Sequence, residues 1–343
     1  MATINKIKVQ NQVYDIKCTA EGHIYTASVD SLAEGTDGDL CTLNQASGLR
    51  SHAEGCHGTA SGNYGSHAEG YETQASGEYG AHAEGYGTQA SGNGSHSSGY
   101  CTLANHIIAS GIGAHASGYA ETDAYIKSDG SGSHAQGYAV GSYTLQASGE
   151  GAHADGIALS NNALAFGLGS HQEGVDTTAQ GIGTHAECRN GVACGTGSHV
   201  EGIQDGITWT ALSTRLKAST ITEDAGSGKL TINCTKPSGA SAPAIGNKFI
   251  RMTVDGVNYY TYCEGISDPG LSGTTFNLTT TATAGGFPSS VNNGTFAYAN
   301  KIYGAFGIAS HAEGYHTGTI GLGSHASGAE CIAKKDCSHA MGR

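Results

Sequence analysis

The run Ser66-His67-Ala68-Glu69-Gly70 sets an imidazole two residues from a carboxylate, and the same phrase or a near copy returns along most of the chain. On an extended strand, residues two apart share a face, so the pair is placed to exchange a proton or to hold a metal ion. The histidine slot is filled by His52, His67, His82, His96, His115, His134, His153, His171, His185, His199, His311, His325 and His339. The slot two residues later drifts instead, from Glu54, Glu69 and Glu84 to Ser98, Ser117, Gln136 and Asp155, then Glu173, Glu187, Glu201, Glu313, Ser327 and Met341. A solvated slot drifts in this way, so the constant histidine is expected to meet a fixed partner. A structural ladder at a contact between chains, closed by hydrogen bonds, is the first expectation. Ordered ions on the row are the second. No His-x-His pair supports a metal, and neither a metal nor another cofactor is required. Catalysis is the weakest reading, because a catalytic group has no reason to be copied in every repeat.

The elements that carry this row follow from its spacing. Successive anchors lie 15, 15, 14, 19, 19, 19, 18, 14 and 14 residues apart, then 112, then 14 and 14. A near-fixed period with small residues at alternate positions signals a solenoid, in which each coil buries its face against its neighbours. Each coil holds two half-repeats, Ser66-His67-Ala68-Glu69-Gly70 and then Gln74-Ala75-Ser76-Gly77. Alternation places Ser66, Ala68 and Gly70 inward and His67 and Glu69 outward. The four or five extra residues per coil between His96 and His171, as in Asn105-His106-Ile107-Ile108, read as longer outward turns or bulges, or equally as variable surface loops used in contact. Composition agrees with a thin core: 55 glycines in 343 residues, 38% hydrophobic and only 7% aromatic. The fold class is therefore all-β, a parallel β-roll or β-solenoid of 14- to 19-residue coils.

Four segments are expected. Residues 1–18 read as a β-hairpin, 19–206 as β-roll repeats, 207–304 as an inserted antiparallel β domain, and 305–343 as resumed repeats. In the insert, Lys229-Leu230-Thr231-Ile232-Asn233 and Phe249-Ile250-Arg251-Met252-Thr253-Val254 read as strands. A sideways projection is expected for this domain. Its aromatic residues Trp209, Tyr259, Tyr260 and Tyr262 form either its own core or a binding surface, and they are the candidate receptor contacts. A formal charge of −13 without a basic cluster argues against nucleic acid as a partner. No window nears ~18 apolar residues and no Sec leader is read, so no membrane insertion is expected. The ten cysteines include no CxxC pair and are expected to be reduced thiols.

The Ala-x-Gly half-repeats at a 14-residue period resemble the YadA-like head domain of trimeric autotransporter adhesins. The Ser-His-Ala-Glu-Gly wording resembles related repeats of bacteriophage tail fibres. The resemblance spans roughly residues 19–206 and 307–343, and it implies a left-handed parallel β-roll assembled as a homotrimer. The implied function is a non-enzymatic tail fibre or receptor-binding protein of a phage or phage-like particle, assembled in the host cytoplasm and carried on the virion. In that role residues 1–18 would join a tail or baseplate protein, and the insert would meet a host-surface glycan or protein. The alternative is a bacterial cell-surface trimeric adhesin.

Overall fold

The structure, a computed structural model, describes residues 6–9, 12–15, 32–35, 44–102, 106–205, 210–212, 218–224, 229–236, 238–239, 241–254, 257–270, 273–282, 294–301 and 303–342. All regular structure among them is strand, and none is helix. The expected N-terminal hairpin is present: Lys6–Val9 and Gln12–Asp15 pair antiparallel, with Val9 opposite Gln12. The chain forms two compact units, Met1–Thr144 and Leu145–Arg343.

In the first unit each described coil from His52 onward supplies one strand that begins at the repeat histidine and one shorter strand from the second half-repeat, and Leu32–Gly35 pairs in parallel ahead of them with Leu32 beside His52. The histidine strands are His52–Cys56, His67–Tyr71, His82–Tyr86, His96–Cys101, His115–Ala120 and His134–Ala139. They pair in parallel and in register, histidine beside histidine at each step. The short strands, from Gln45–Ala46 to Tyr125–Ser128, form a second parallel ladder. The result is a parallel β-solenoid. Its backbone groups are satisfied by the coils on either side, which is the source of stability open to a sequence with so few large side chains.

The interior between the two ladders is built of Ala53, Ala60, Ala68, Ala75, Ala83 and Ala90, all fully buried. The serine before each histidine closes the turn: Ser66 Oγ donates to the Gly62 carbonyl at 2.6 Å and Ser133 Oγ to the Gly130 carbonyl at 2.7 Å. Ser66 and Ala68 are inside as the alternation requires, but Gly70 is only half-buried. Its backbone sits at φ +120°, and a Cβ there would lie 2.1 Å from the Gly85 carbonyl oxygen. The slot is glycine for its backbone, not to fill the interior.

The long coils also differ from expectation. Their extra residues lengthen both strands and widen the interior instead of forming only outward turns. His115–Ala120 reaches one further buried position at Ala120, and Ile107 and Ile126 fill the inward slot that Thr73 and Thr88 take in shorter coils. A longer perimeter encloses more volume, and close packing requires larger side chains to fill it.

The second unit repeats the two ladders, with histidine strands from His153–Ala158 to His339–Gly342. His199 pairs directly with His311, so two residues 112 apart in sequence sit on adjacent coils. Between them the chain forms a seven-stranded antiparallel sheet. Its strand order is Thr210–Ala211, Gly294–Ala299, Lys248–Val254, Val257–Ser267, Thr275–Ala282, Lys229–Thr235 and Ala218–Glu223. One face carries the insert's own core, including Ile232, Ile250, Met252, Phe276, Leu278 and Phe296. The other face does not project freely: Phe249, Tyr260 and Tyr262 pack with Val192, Cys194, Phe306 and Ile320 of the coils.

Candidate functional site

Register alone stacks the repeat histidines. Within each unit neighbouring imidazoles lie 4.6 to 5.0 Å apart, near the spacing of adjacent strands. The rings are about one third exposed on their edges, yet Nε2 of His52, His67, His82, His96, His115, His185, His199, His311 and His325 is shut off from solvent and makes no hydrogen bond. The nearest polar groups are carboxylates. Nε2 to Oε separations are 3.6 Å for His52 and Glu54, 3.5 Å for His96 and Glu84, 3.9 Å for His171 and Glu173, and 4.0 Å for His199 and Glu201. Glu313 stands between two rings, 3.8 Å from His311 and 3.7 Å from His325. These separations exceed hydrogen-bonding distance. Burial, and after it the charge on neighbouring imidazoles, holds His82, His115 and His199 below the ordinary histidine pKa. The same causes act on His153 and His171. The row is therefore a stack of imidazoles, flanked by carboxylates in some coils and by Ser or Gln in others, in which these five are biased toward the neutral form.

The aromatic candidates of the insert fare differently. Trp209 lies outside the described residues. Tyr259 is half-buried, edge-on to Phe166 at 5.4 Å. Tyr260 and Tyr262 are 3% and 6% exposed and form the seam between insert and coils. Their rings cover an apolar coil face, and as placed they present nothing to a receptor. Residues 257–262 pair with Lys248–Val254 on one side, while pairing with Thr275–Ala282 begins only at Cys263. The edge at Tyr260 is met by coil side chains: Tyr260 N donates to Gln180 Oε1 at 2.8 Å, and the Tyr260 carbonyl accepts from Gln180 Nε2 at 3.1 Å and from Cys194 Sγ at 3.2 Å.

A sequence signal for this seam exists. Residues that follow a short strand include Ser47, Ser61, Ser76, Ser91 and Ser110 in the first unit; in the second they are Ser148, then Phe166, Gln180, Cys194, Phe306 and Ile320 in the coils that meet the insert, and Lys334 beyond them. Gln180, Cys194, Phe306 and Ile320 are buried under the insert.

Two aromatic features at the surface, half-buried or exposed, were not anticipated. Tyr71, Tyr86, Tyr100, Tyr119 and Tyr138 form a second row, with rings 4.9 to 5.6 Å apart, stacked except for the tilted Tyr100 and Tyr119 pair. Tyr64 and Tyr79 also stack, at 5.2 Å, and are 53% and 63% exposed. Both occupy a turn slot with left-handed backbone, φ +64° and +58°, where other coils have Gly94, Gly113 and Gly132 at φ +61° to +62°. A tyrosine there costs ~1–2 kcal/mol relative to glycine.

Cysteine chemistry is muted. Cys56 is disulfide-bonded, against the expectation of reduced thiols, while Cys101, Cys188, Cys194, Cys234, Cys263, Cys331 and Cys337 are free. Burial pushes the thiols of Cys188 and Cys234 up to about 12 and that of Cys263 up to about 11, so none is a ready thiolate. No family model matches the chain, and no curated protein matches it.

Proposed function

We propose that the protein is a homotrimeric fibre or receptor-binding protein of a phage tail or phage-like particle. The observation that carries this reading is the in-register parallel stacking of coils around an interior of alanine and serine. Such an interior buries little apolar area per chain, so the coils gain from partners. At equivalent turns of three coils, Leu168, Ile182 and Leu322 lie on the surface at 52%, 38% and 50% exposure, apolar positions suited to copies of the same chain. Residues 1–18 attach the protein to a tail or baseplate component, and the coils act as a stiff spacer.

Host contact is assigned to Tyr64 and Tyr79, because exposed aromatic rings held at a conformational cost are retained where function needs them. The ligand is a surface glycan or protein. A bacterial surface adhesin is the second reading. The disulfide at Cys56 favours a workplace outside the reducing cytosol, which both readings provide.

Sedimentation equilibrium is expected to give three times the mass of one chain, and a monomer at micromolar concentration would overturn the assembly. Antibody labelling of purified particles against intact cells separates the two readings. Replacing Tyr64 and Tyr79 together with glycine is expected to lower host adsorption while leaving the protein at least as stable.

A further inference from the structure

We infer that the histidine and glutamate pairs along the coils are binding sites for divalent transition-metal ions of the zinc, nickel or copper type. This goes beyond the fibre reading and does not depend on it, because both protein ligands of each site come from one chain.

Five groups bring their ligand atoms within 4.8 Å of one another: His52, Glu54 and His67; His67, Glu69 and His82; His171, Glu173 and His185; His185, Glu187 and His199; and His199, Glu201 and His311. Zinc bonds of ~2.0–2.2 Å to imidazole nitrogen and carboxylate oxygen, at a tetrahedral angle, set the two ligand atoms about 3.4 Å apart. The observed Nε2 to Oε separations run from 3.5 to 4.0 Å. The carboxylates are partly exposed, so small side-chain adjustments close that difference. An ion would also satisfy Nε2 atoms that are otherwise closed off from water without a hydrogen bond.

Ligand chemistry and ring geometry narrow the proposal. A nitrogen ligand paired with a carboxylate suits zinc, nickel or copper over magnesium or calcium, which take oxygen. Stacked imidazoles direct their lone pairs in parallel, so neighbouring rings do not share one ion. Each site takes one ring and one carboxylate, and its remaining positions fall to water or another ligand. Adjacent coils are only 4.6 to 5.0 Å apart, and charge repulsion keeps occupancy below one ion per coil. Sites are confined to the coils that carry Glu54, Glu69 and Glu84 and those that carry Glu173, Glu187, Glu201 and Glu313. Around His115, where Ser117 and Gln136 replace the carboxylate, none forms.

The test is equilibrium dialysis of the full chain against sub-millimolar zinc near neutral pH, with two variants. One is Glu54→Gln, Glu69→Gln and Glu84→Gln; the other is Glu173→Gln, Glu187→Gln, Glu201→Gln and Glu313→Gln. Each is expected to lower bound zinc by at least a third, the combined variant to lose most of it, and His115→Gln to leave it unchanged. No uptake by the wild-type chain, or full uptake by the combined variant, overturns the proposal; the second outcome would put the metal on other ligands such as the exposed Cys337. Imidazole nitrogen NMR of the wild-type chain provides a reading that does not depend on the variants folding. Zinc must shift the ladder Nε2 resonances, and unmoved resonances sink the idea. Sedimentation of the same samples reports assembly separately.

Discussion

At the scale of single residues, the histidine row makes stability depend on pH in a definite direction. His82, His115, His153, His171 and His199 are all held below 6.5, first by burial and then by their neighbours' charge, with nearby carboxylates opposing. A depressed pKa means that the unfolded chain binds more protons than the folded one as pH falls through this window. The contribution is fully present above 6.5 and is lost on acidification. The melting midpoint is therefore expected to be lower near pH 5 than near pH 8, and coincident melts would show that the row is not stabilised in its neutral form. Two glycines offer a second comparison. Gly80 and Gly85 both have left-handed backbone, but a Cβ on Gly80 meets nothing, whereas one on Gly85 lies 2.1 Å from the Gly99 carbonyl oxygen. Gly80→Ala should cost ~1–2 kcal/mol, and Gly85→Ala distinctly more in the same denaturant titration. The histidines were legible because repetition within one chain separates a fixed slot from a drifting one. The role of Gly70 and its equivalents was not, since alternation cannot tell an inward residue from a backbone that leaves no room for a side chain.

At the scale of elements, the seam between insert and coils rests on Gln180. Removing its amide by Gln180→Ala takes away both of these bonds; the Tyr260 carbonyl keeps the Cys194 thiol as a donor at 3.2 Å, so a loss of about 1–3 kcal/mol is expected from the N–H bond. Hydrogen exchange at the Tyr260 amide should speed up by at least tenfold, while exchange in the first-unit coils should not change. An unaltered Tyr260 rate would mean that the seam is held by its apolar contacts alone. The strands Lys229–Thr235 and Lys248–Val254 were readable from alternation. Their placement was not, because Tyr260 and Tyr262 follow the same alternation whether their face meets water or a second surface. The change from Ser76 and Ser110 to Phe166, Phe306 and Ile320 carried the missing information, on the coils and not on the insert.

At the scale of the whole molecule, the architecture followed from the period, while the insert's docking and the exposed Tyr64 and Tyr79 pair did not. Removing residues 206–303 takes 98 of the 112 positions between His199 and His311 and leaves 14, the spacing of the neighbouring coils. Gly304 and Ala305 then follow Asp205, and Ala305 is already paired with Ala193. A chain with this deletion is expected to keep its coil ladders but to aggregate, because Val192, Phe306 and Ile320 lose their cover. Adding Val192→Thr, Phe306→Ser and Ile320→Ser should restore solubility. Aggregation that persists with these changes, as read by light scattering, would show that the insert does more than cover this face.

The direct pairing of His199 with His311 also bears on how such a chain can diversify. Because the interruption begins and ends at one turn without disturbing the period, an unrelated module can enter there by recombination. Only the few coil residues beneath it must then adapt. Duplication of a 14-residue unit changes the number of coils with the same ease. A lineage built this way can vary what it carries and how far it reaches as two independent characters, each altered in a single genetic event.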